Sequence, residues 1–381
     1  MTDRIEIRVH GHDDCRDGQS DDRSRRAVKL GLGLDLYRGA SLEVPVASVQ
    51  LAEQLGYHSV WTAEAYGADA LSPLAFLAAH TRRIKLATGV VQVDARSPAA
   101  TAMHAMTIDA LAGGGRTIIG LGVSGPQVVE GWHGAAWGKP TAKLRDYTAI
   151  MRKVLARDAP VTHDGDALRL PYDGPGALGQ GKPLRSILHP SPGIEIWIAA
   201  GGARNVALAA EVADGWLPMG YGPDGAETYR EALHRGLARR HGGIRPEPEA
   251  FGSLSVEITD DVQGALDARK PLVAMYVGGM GSDTHNFHAE AMARRGWPEA
   301  SARIVELWRA GRRDEAVAAV PDDYIDFQSL VGPARRIRAR WPEAIPAGLT
   351  GAIIRSRDDE GLRLAADLAG TRDITGANHD R

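Results

Sequence analysis

The chain has 381 residues, of which 44% are hydrophobic and 24% are charged, and its formal net charge is -3. This balance is typical of a soluble globular enzyme and excludes an intrinsically disordered chain. No apolar stretch approaches the roughly 20 residues that a transmembrane helix needs, so no membrane partner is expected. A slightly negative chain also lacks the clustered basic face of a nucleic-acid-binding protein.

The first 27 residues differ in composition from the rest of the chain. They mix acidic side chains with arginines and contain no apolar signal-peptide core, so the sequence predicts a flexible, mixed-charge tail at residues 1–27. Cys15, the only cysteine, lies in this tail. A single cysteine forms no intramolecular disulfide, which is consistent with a cytoplasmic protein. Residues 371–381 are predicted to be a second tail, which leaves one domain at 28–370.

From Val28 onward, eight apolar or β-branched runs alternate with segments of helical periodicity. The predicted strands are VKLGLGL, HSVWTAE, IKLATGVVQ, RTIIGLGV, IEIWIAAG, GWLPMGY, SLSVEIT and LTGAIIRS. Eight strand-helix units predict an α/β fold, the (β/α)8 or TIM barrel. The length beyond the usual ~250 residues indicates insertions. Gly and Pro content places one insertion after strand four, and a mostly helical one lies around strands seven and eight, at about 262–345.

Active sites of such barrels lie at the carboxyl ends of the strands, and glycines recur at these ends here. In AAGGARN, Gly201 and Gly202 stand between a strand and a helix, where free N–H groups and the helix dipole favour an anion. Tight turns without a ligand also use glycines, so each glycine alone is ambiguous.

Glu64 is the titratable residue of greatest interest, because it closes the second strand between Trp61 and Tyr66. A carboxyl group that aromatic and apolar neighbours shield from water can stay protonated and act as a proton donor, or it can hydrogen-bond the backbone or a cofactor ring. Glu130 and His133, after strand four, are further candidates for substrate contact. The scattered histidines do not match a metal-ligand spacing, so no metal site is predicted.

Three stretches of the chain resemble a known family. They are LAEQLGYHSVWTAEAYGADALSPLAFLAAHTRRIKLATGVVQ, GLGVSGPQVVEGWHGAAWGKP and IWIAAGGARNVALAAEVADGWLP. Together they resemble the luciferase-like monooxygenase superfamily and, within it, the oxidoreductases that use the deazaflavin coenzyme F420. The resemblance runs from about Val28 to about Asp367. It includes NFHAEAMARRGW and DFQSLVGPARRIRARW, which are similar to late helices of that branch.

This resemblance implies a cofactor lying across the strand ends, over a non-proline cis peptide between Gly89 and Val90. The implied cofactor-binding residues are Glu64, Thr88, Gly89, Val90, Gly122, Val123, Ser124, Ala200, Gly201, Gly202, Gly220 and Tyr221. Glu64 is also the implied catalytic acid. The residues expected to contact substrate are Asp35, Tyr66, Gln127, Trp132 and His133.

The implied activity is hydride transfer between C5 of F420 and a small-molecule or peptide substrate, with reduction of an activated C=C, C=N or C=O bond. Ala65 stands where several relatives have a histidine, which leaves Glu64 as the nearest acid. Gly125 stands where relatives that oxidise sugar phosphates have a glutamate, which disfavours that activity. The alternatives are an FMN-dependent monooxygenase and a flavin-binding barrel without turnover. The family also implies a homodimer.

Overall fold

The computed structural model describes residues 28–36, 40–219, 221–242, 244–280, 286–356 and 358–371. The predicted tail at 1–27, the predicted cofactor residue Gly220 and residues 372–381 of the second predicted tail lie outside these ranges. Within the described ranges, no helix has the length and apolar character that crossing a membrane requires.

Eight parallel strands close into a barrel, which confirms the predicted TIM-barrel fold. The strands of the described residues are β1 Lys29–Gly33, β2 Ser59–Thr62, β3 Lys85–Gln92, β4 Thr117–Gly122, β5 His163–Asp164, β6 Arg169–Leu170, β7 Glu195–Ala200, β8 Gly215–Pro218, β9 Glu249–Ile258, β10 Ser329–Gly332 and β11 Gly351–Arg355. The barrel consists of β1, β2, β3, β4, β7, β8, β9 and β11 in that order, and β11 pairs with β1. Every predicted strand is therefore present.

Helices connect the strands of the barrel. They are α1 Val46–Gln54, α2 Ser72–Ala78, α3 Pro98–Leu111, α4 Pro126–Gly131, α5 Pro140–Ala156, α6 Ala203–Val212, α7 Gly225–Thr228, α8 Arg230–Leu237, α9 Val262–Asp267, α10 Lys270–Gly279, α11 Phe287–Arg294, α12 Pro298–Arg309, α13 Arg313–Ala318, α14 Asp322–Phe327, α15 Ala334–Ala344 and α16 Asp359–Ala369. The residues at the start of α3 explain why a helix begins there. The Ser97 hydroxyl accepts a hydrogen bond from the Ala100 N–H, and Pro98 occupies the first turn, where no N–H is needed.

Both predicted insertions are present. The first comprises α5 and an excursion that contains the β5–β6 hairpin. The second lies between β9 and β11, where α9 to α14 bury an apolar core of their own around Ala274, Met292 and Ile304. One prediction is wrong: SLVG, which the family resemblance places in a late helix, forms β10 and pairs with Ser255–Ile258 of β9. A strand forms there because β9 continues past the barrel rim and offers its free edge.

The interior of the barrel is filled by aromatic rings. Trp61, Trp197 and Phe251 point inward, and their ring centroids lie 5.0 to 6.0 Å apart in tilted or edge-on contacts. Gly215 makes room for them, because a Cβ there would lie 2.1 Å from the Trp197 ring. The interior is thus a packed core, and a ligand has to bind above it.

We predict that Gly215→Ala lowers the free energy of unfolding by about 1–3 kcal/mol, because the added methyl group displaces Trp197 from a filled core. Chemical denaturation measures this difference. The matched control is Gly131→Ala, since no atom lies within 4 Å of a Cβ at that position. Equal stability of the two variants would contradict the prediction.

Candidate active site

A cavity of about 560 Å³ lies between the carboxyl ends of the barrel strands and the second insertion. Its floor includes Gly89 and Val90 of β3 and Leu217 of β8. Its roof is formed by side chains of α10, α11 and α14. A volume in the range of about 300–1,000 Å³ at this end of a TIM barrel is typical of a small-molecule site.

The floor is shaped by an irregularity in β3. The register between β3 and β4 shifts between Thr88 and Val91, and the Gly89–Val90 peptide bond is cis, as the resemblance implies. The Thr88 hydroxyl accepts from the Gly120 N–H at 2.8 Å and donates to the Gly120 carbonyl at 3.0 Å. A Cβ at Gly122 would lie 2.6 Å from the Val90 side chain. These contacts hold Val90 at the cavity surface.

The Glu64 carboxylate is surrounded by donors. Its Oε1 accepts from the Gln92 N–H at 2.9 Å and its Oε2 from the Ala70 N–H at 3.1 Å. Arg96 binds both oxygens, at 2.8 and 3.0 Å, and only 6% of the Glu64 side chain is exposed. Burial lowers the pKa of Arg96, but the hydrogen bonds and charge of Glu64 outweigh it and raise that pKa above its ordinary value. Glu64, just after β2, is therefore bonded to Gln92 at the end of β3 and, through a bidentate ion pair, to Arg96 in the loop that follows.

The loop after β4 is joined to this ion pair. His133 hydrogen-bonds the side-chain oxygen of Gln92, whose backbone N–H donates to Glu64. Ser124 adopts a left-handed φ of 55°, which is uncommon for a residue with a side chain and frequent near binding sites. The Trp137 indole N–H donates to the Ser124 carbonyl at 3.5 Å. Val123 and Ser124 are half-buried beside β3, where they were expected to line a ring.

The residues expected to contact substrate fall into two places. Tyr66 and Trp132, which are 55% and 65% exposed, meet edge-on at 6.5 Å, and Gln127 is exposed on α4. These three and His133 lie outside the cavity lining. Asp35 instead accepts from the Arg355 side chain at 3.2 Å, and Arg355 lines the cavity.

The β7–α6 junction adjoins the cavity and fits an anion. Gly202 is the N-cap of α6, which receives no side-chain cap, and no atom lies within 4 Å of a Cβ placed there. Beside it, a Cβ at Gly201 would lie 3.0 Å from Met219, which lines the cavity together with Tyr221. An open helix N-terminus next to an apolar floor fits a flat ring that carries a phosphate on its tail.

The roof of the cavity contains residues that the sequence analysis did not single out. His288, Ala291 and Arg295 recur at a spacing of three and four residues along α11 and its C-terminal cap, and all three line the cavity. Tyr276 of α10 and Tyr324 of α14 lie beside them. That spacing is the signal of one helix face, and it is readable in NFHAEAMARRGW.

Comparison with known proteins identifies relatives over most of the chain. A Mycobacterium tuberculosis protein named as a coenzyme F420-dependent oxidoreductase is 43% identical over 345 residues, which cover 90% of this chain and 99% of that one. The 5,10-methylenetetrahydromethanopterin reductase of Archaeoglobus fulgidus is 30% identical and covers 80% of this chain and 87% of its own.

A solved structure and a family model also resemble the chain over most of its length. The coenzyme F420-dependent tetrahydromethanopterin reductase from Methanopyrus kandleri superimposes with a TM-score of 0.70 at 22% identity, covering 89% of this chain and 97% of that one. This likeness supports the fold. Residues 29–351 match the family model of the luciferase-like monooxygenases. The chain therefore belongs to the luciferase-like monooxygenase family.

Proposed function

We propose that the protein is an F420-dependent oxidoreductase that transfers a hydride between C5 of the deazaflavin and an organic substrate. The observation that carries the proposal is the uncapped N-terminus of α6 at Gly202. Its neighbour Gly201 lies against Met219, which lines the same cavity as Gly89 and Val90. The choice of F420 rests on the name of the relative that is 43% identical.

In this proposal the floor of the cavity and the start of α6 hold different parts of the cofactor. Gly89 and Val90 back the ring, and Val123 and Ser124 flank it. The N–H groups at the start of α6 bind the phosphate, with Gly202 leaving room for it. Bound F420 supplies a two-electron hydride carrier, while reduction of a C=C, C=N or C=O bond also consumes one proton.

Glu64 is best described as a positioning residue in this scheme. Its oxygens already accept from Arg96 and from two backbone N–H groups, one of which belongs to Gln92 at the end of β3. These bonds fix β3 against β2 and, through Gln92 and His133, the loop beside the ring site. The proton then comes from solvent admitted to the cavity, with Glu64 setting the geometry of the floor.

We predict that Gly202→Asp weakens F420 binding at least about tenfold, because a carboxylate at the α6 N-cap competes with the cofactor phosphate. Thermal stability should be maintained or increased, since Asp is a favoured N-cap residue. Fluorescence titration with F420 and a thermal melt measure the two quantities.

Gly202→Asn is the matched control, because it caps the helix without adding charge. The space around Gly202 accepts either side chain. If the Asp and Asn variants bound F420 equally well, the phosphate site would have to lie elsewhere.

We predict that Glu64→Gln lowers the free energy of unfolding by about 3 kcal/mol, because it leaves Arg96 partly buried without its counter-ion. Combining it with Arg96→Met should cost less than the sum of the single losses by at least about 1 kcal/mol. F420 affinity should also fall in Glu64→Gln, since the floor of the ring site loosens. Denaturation and F420 titration measure these effects.

The control for this prediction is Asp214→Asn at the opposite end of the barrel. Asp214 likewise accepts from an arginine, Arg152 at 3.0 Å, and from a backbone N–H, that of Ile196 at 2.8 Å. The Asp214→Asn variant should have a lower free energy of unfolding and an unchanged affinity for F420. An unchanged affinity in Glu64→Gln as well would rule out the positioning role.

A further inference from the structure

Arg295, in the roof of the cavity, is a cation that forms no ion pair with any of the described residues. Its Nη1 donates to the Gln328 side-chain oxygen at 2.5 Å and to the Tyr324 hydroxyl at 3.3 Å, and both acceptors are neutral. Its Nε is buried and has no hydrogen-bond partner. Among the residues that the structure describes, no carboxylate forms an ion pair with this guanidinium. Arg295 is half-buried, and its buried, unpaired Nε favours binding of an anion.

The other arginines of the cavity lining make the contrast clear. Arg269 pairs with Glu257 at 2.7 Å, and Arg355 pairs with Asp35 at 3.2 Å. Both are therefore neutralised by the protein itself. Arg295 donates hydrogen bonds to Gln328 and Tyr324, and neither of these side chains carries a negative charge.

The surroundings of Arg295 fit one anionic group attached to an apolar body. Leu272, Val273 and Ile325 contribute apolar surface to the same cavity. His288 stacks at a tilt on Tyr276, with ring centroids 4.7 Å apart. Burial, and next the charge of Arg295, lower the pKa of His288 to about 4, so this imidazole is neutral near pH 7. It can offer one N–H but adds no second charge.

We propose that Arg295 binds the anionic group, a carboxylate or a phosphate, of the organic substrate, whose apolar body faces the floor at Gly89 and Val90. The inference rests on the proposed function and adds the substrate class to it. An anionic group can come from the substrate or from the cofactor, because F420 also carries anionic groups. The uncapped α6 N-terminus already provides for the cofactor phosphate, which leaves the guanidinium in the roof for the substrate.

The test uses matched probes: benzoate, phenyl phosphate and the neutral benzamide. Calorimetry with the full-length protein, with and without F420, should give about tenfold tighter binding of one or both anions than of benzamide, as expected for a hydrogen-bonded charge pair. Arg295→Met should abolish this preference, and Arg295→Lys should retain part of it. The control is Arg303→Met on α12, which removes an exposed arginine paired with Glu306 and should change nothing.

F420 affinity, measured separately, distinguishes the two sources of anion. An F420 dissociation constant within about twofold of wild type in Arg295→Met, with the anion preference lost, supports a substrate site. A tenfold loss of F420 affinity would assign Arg295 to the cofactor and overturn the inference. So would anions that bind wild type no better than benzamide. If wild type failed to bind F420 but kept an Arg295-dependent anion preference, the proposed function would fail and the anion site would stand.

Discussion

Close packing of aromatic rings inside the barrel determines where chemistry can take place. Trp197 lies directly over Gly215 and meets Trp61 and Phe251 edge-on, so the interior has no room for a ligand. A bound molecule is confined to the space above the rings, where Gly89, Val90 and Leu217 form the floor. The second insertion closes that space from above and leaves a cavity of about 560 Å³. The packed core therefore determines the position of the cavity, and Phe251 belongs to both.

The two sides of the cavity are built by different means. The barrel side is rigid, because Thr88 is bonded twice to Gly120 and Glu64 ties β2 to the end of β3. The roof is carried by helices that have their own apolar core and line the cavity with residues such as Tyr324 and Arg295. A rigid floor suits a cofactor whose reacting atom must be held in place, while a separate roof can vary with the substrate.

The sequence predicted the barrel because buried parallel strands appear as short apolar runs, and their glycine-rich ends stand out after each run. The glycines at 201 and 202 stood out because a strand-to-helix junction is a local feature, whereas the cis Gly89–Val90 bond was expected only from the family resemblance. The sequence could not show that Glu64 pairs with Arg96, 32 residues further along the chain. Nor could it place His288 and Arg295 over the floor, because the seating of the insertion depends on packing between distant helices. β10 was missed for a similar reason, as it forms only on the free edge of β9.

Parallel titration of the purified protein with F420 and with FMN tests the central claim most directly. Both cofactors carry a phosphate and a flat ring, so the comparison isolates recognition of the ring. The account predicts saturable binding of F420 that is clearly tighter than that of FMN. Preference for FMN would contradict it and favour an oxygen-dependent monooxygenase, and binding of neither would mean that the cavity serves a different kind of ligand.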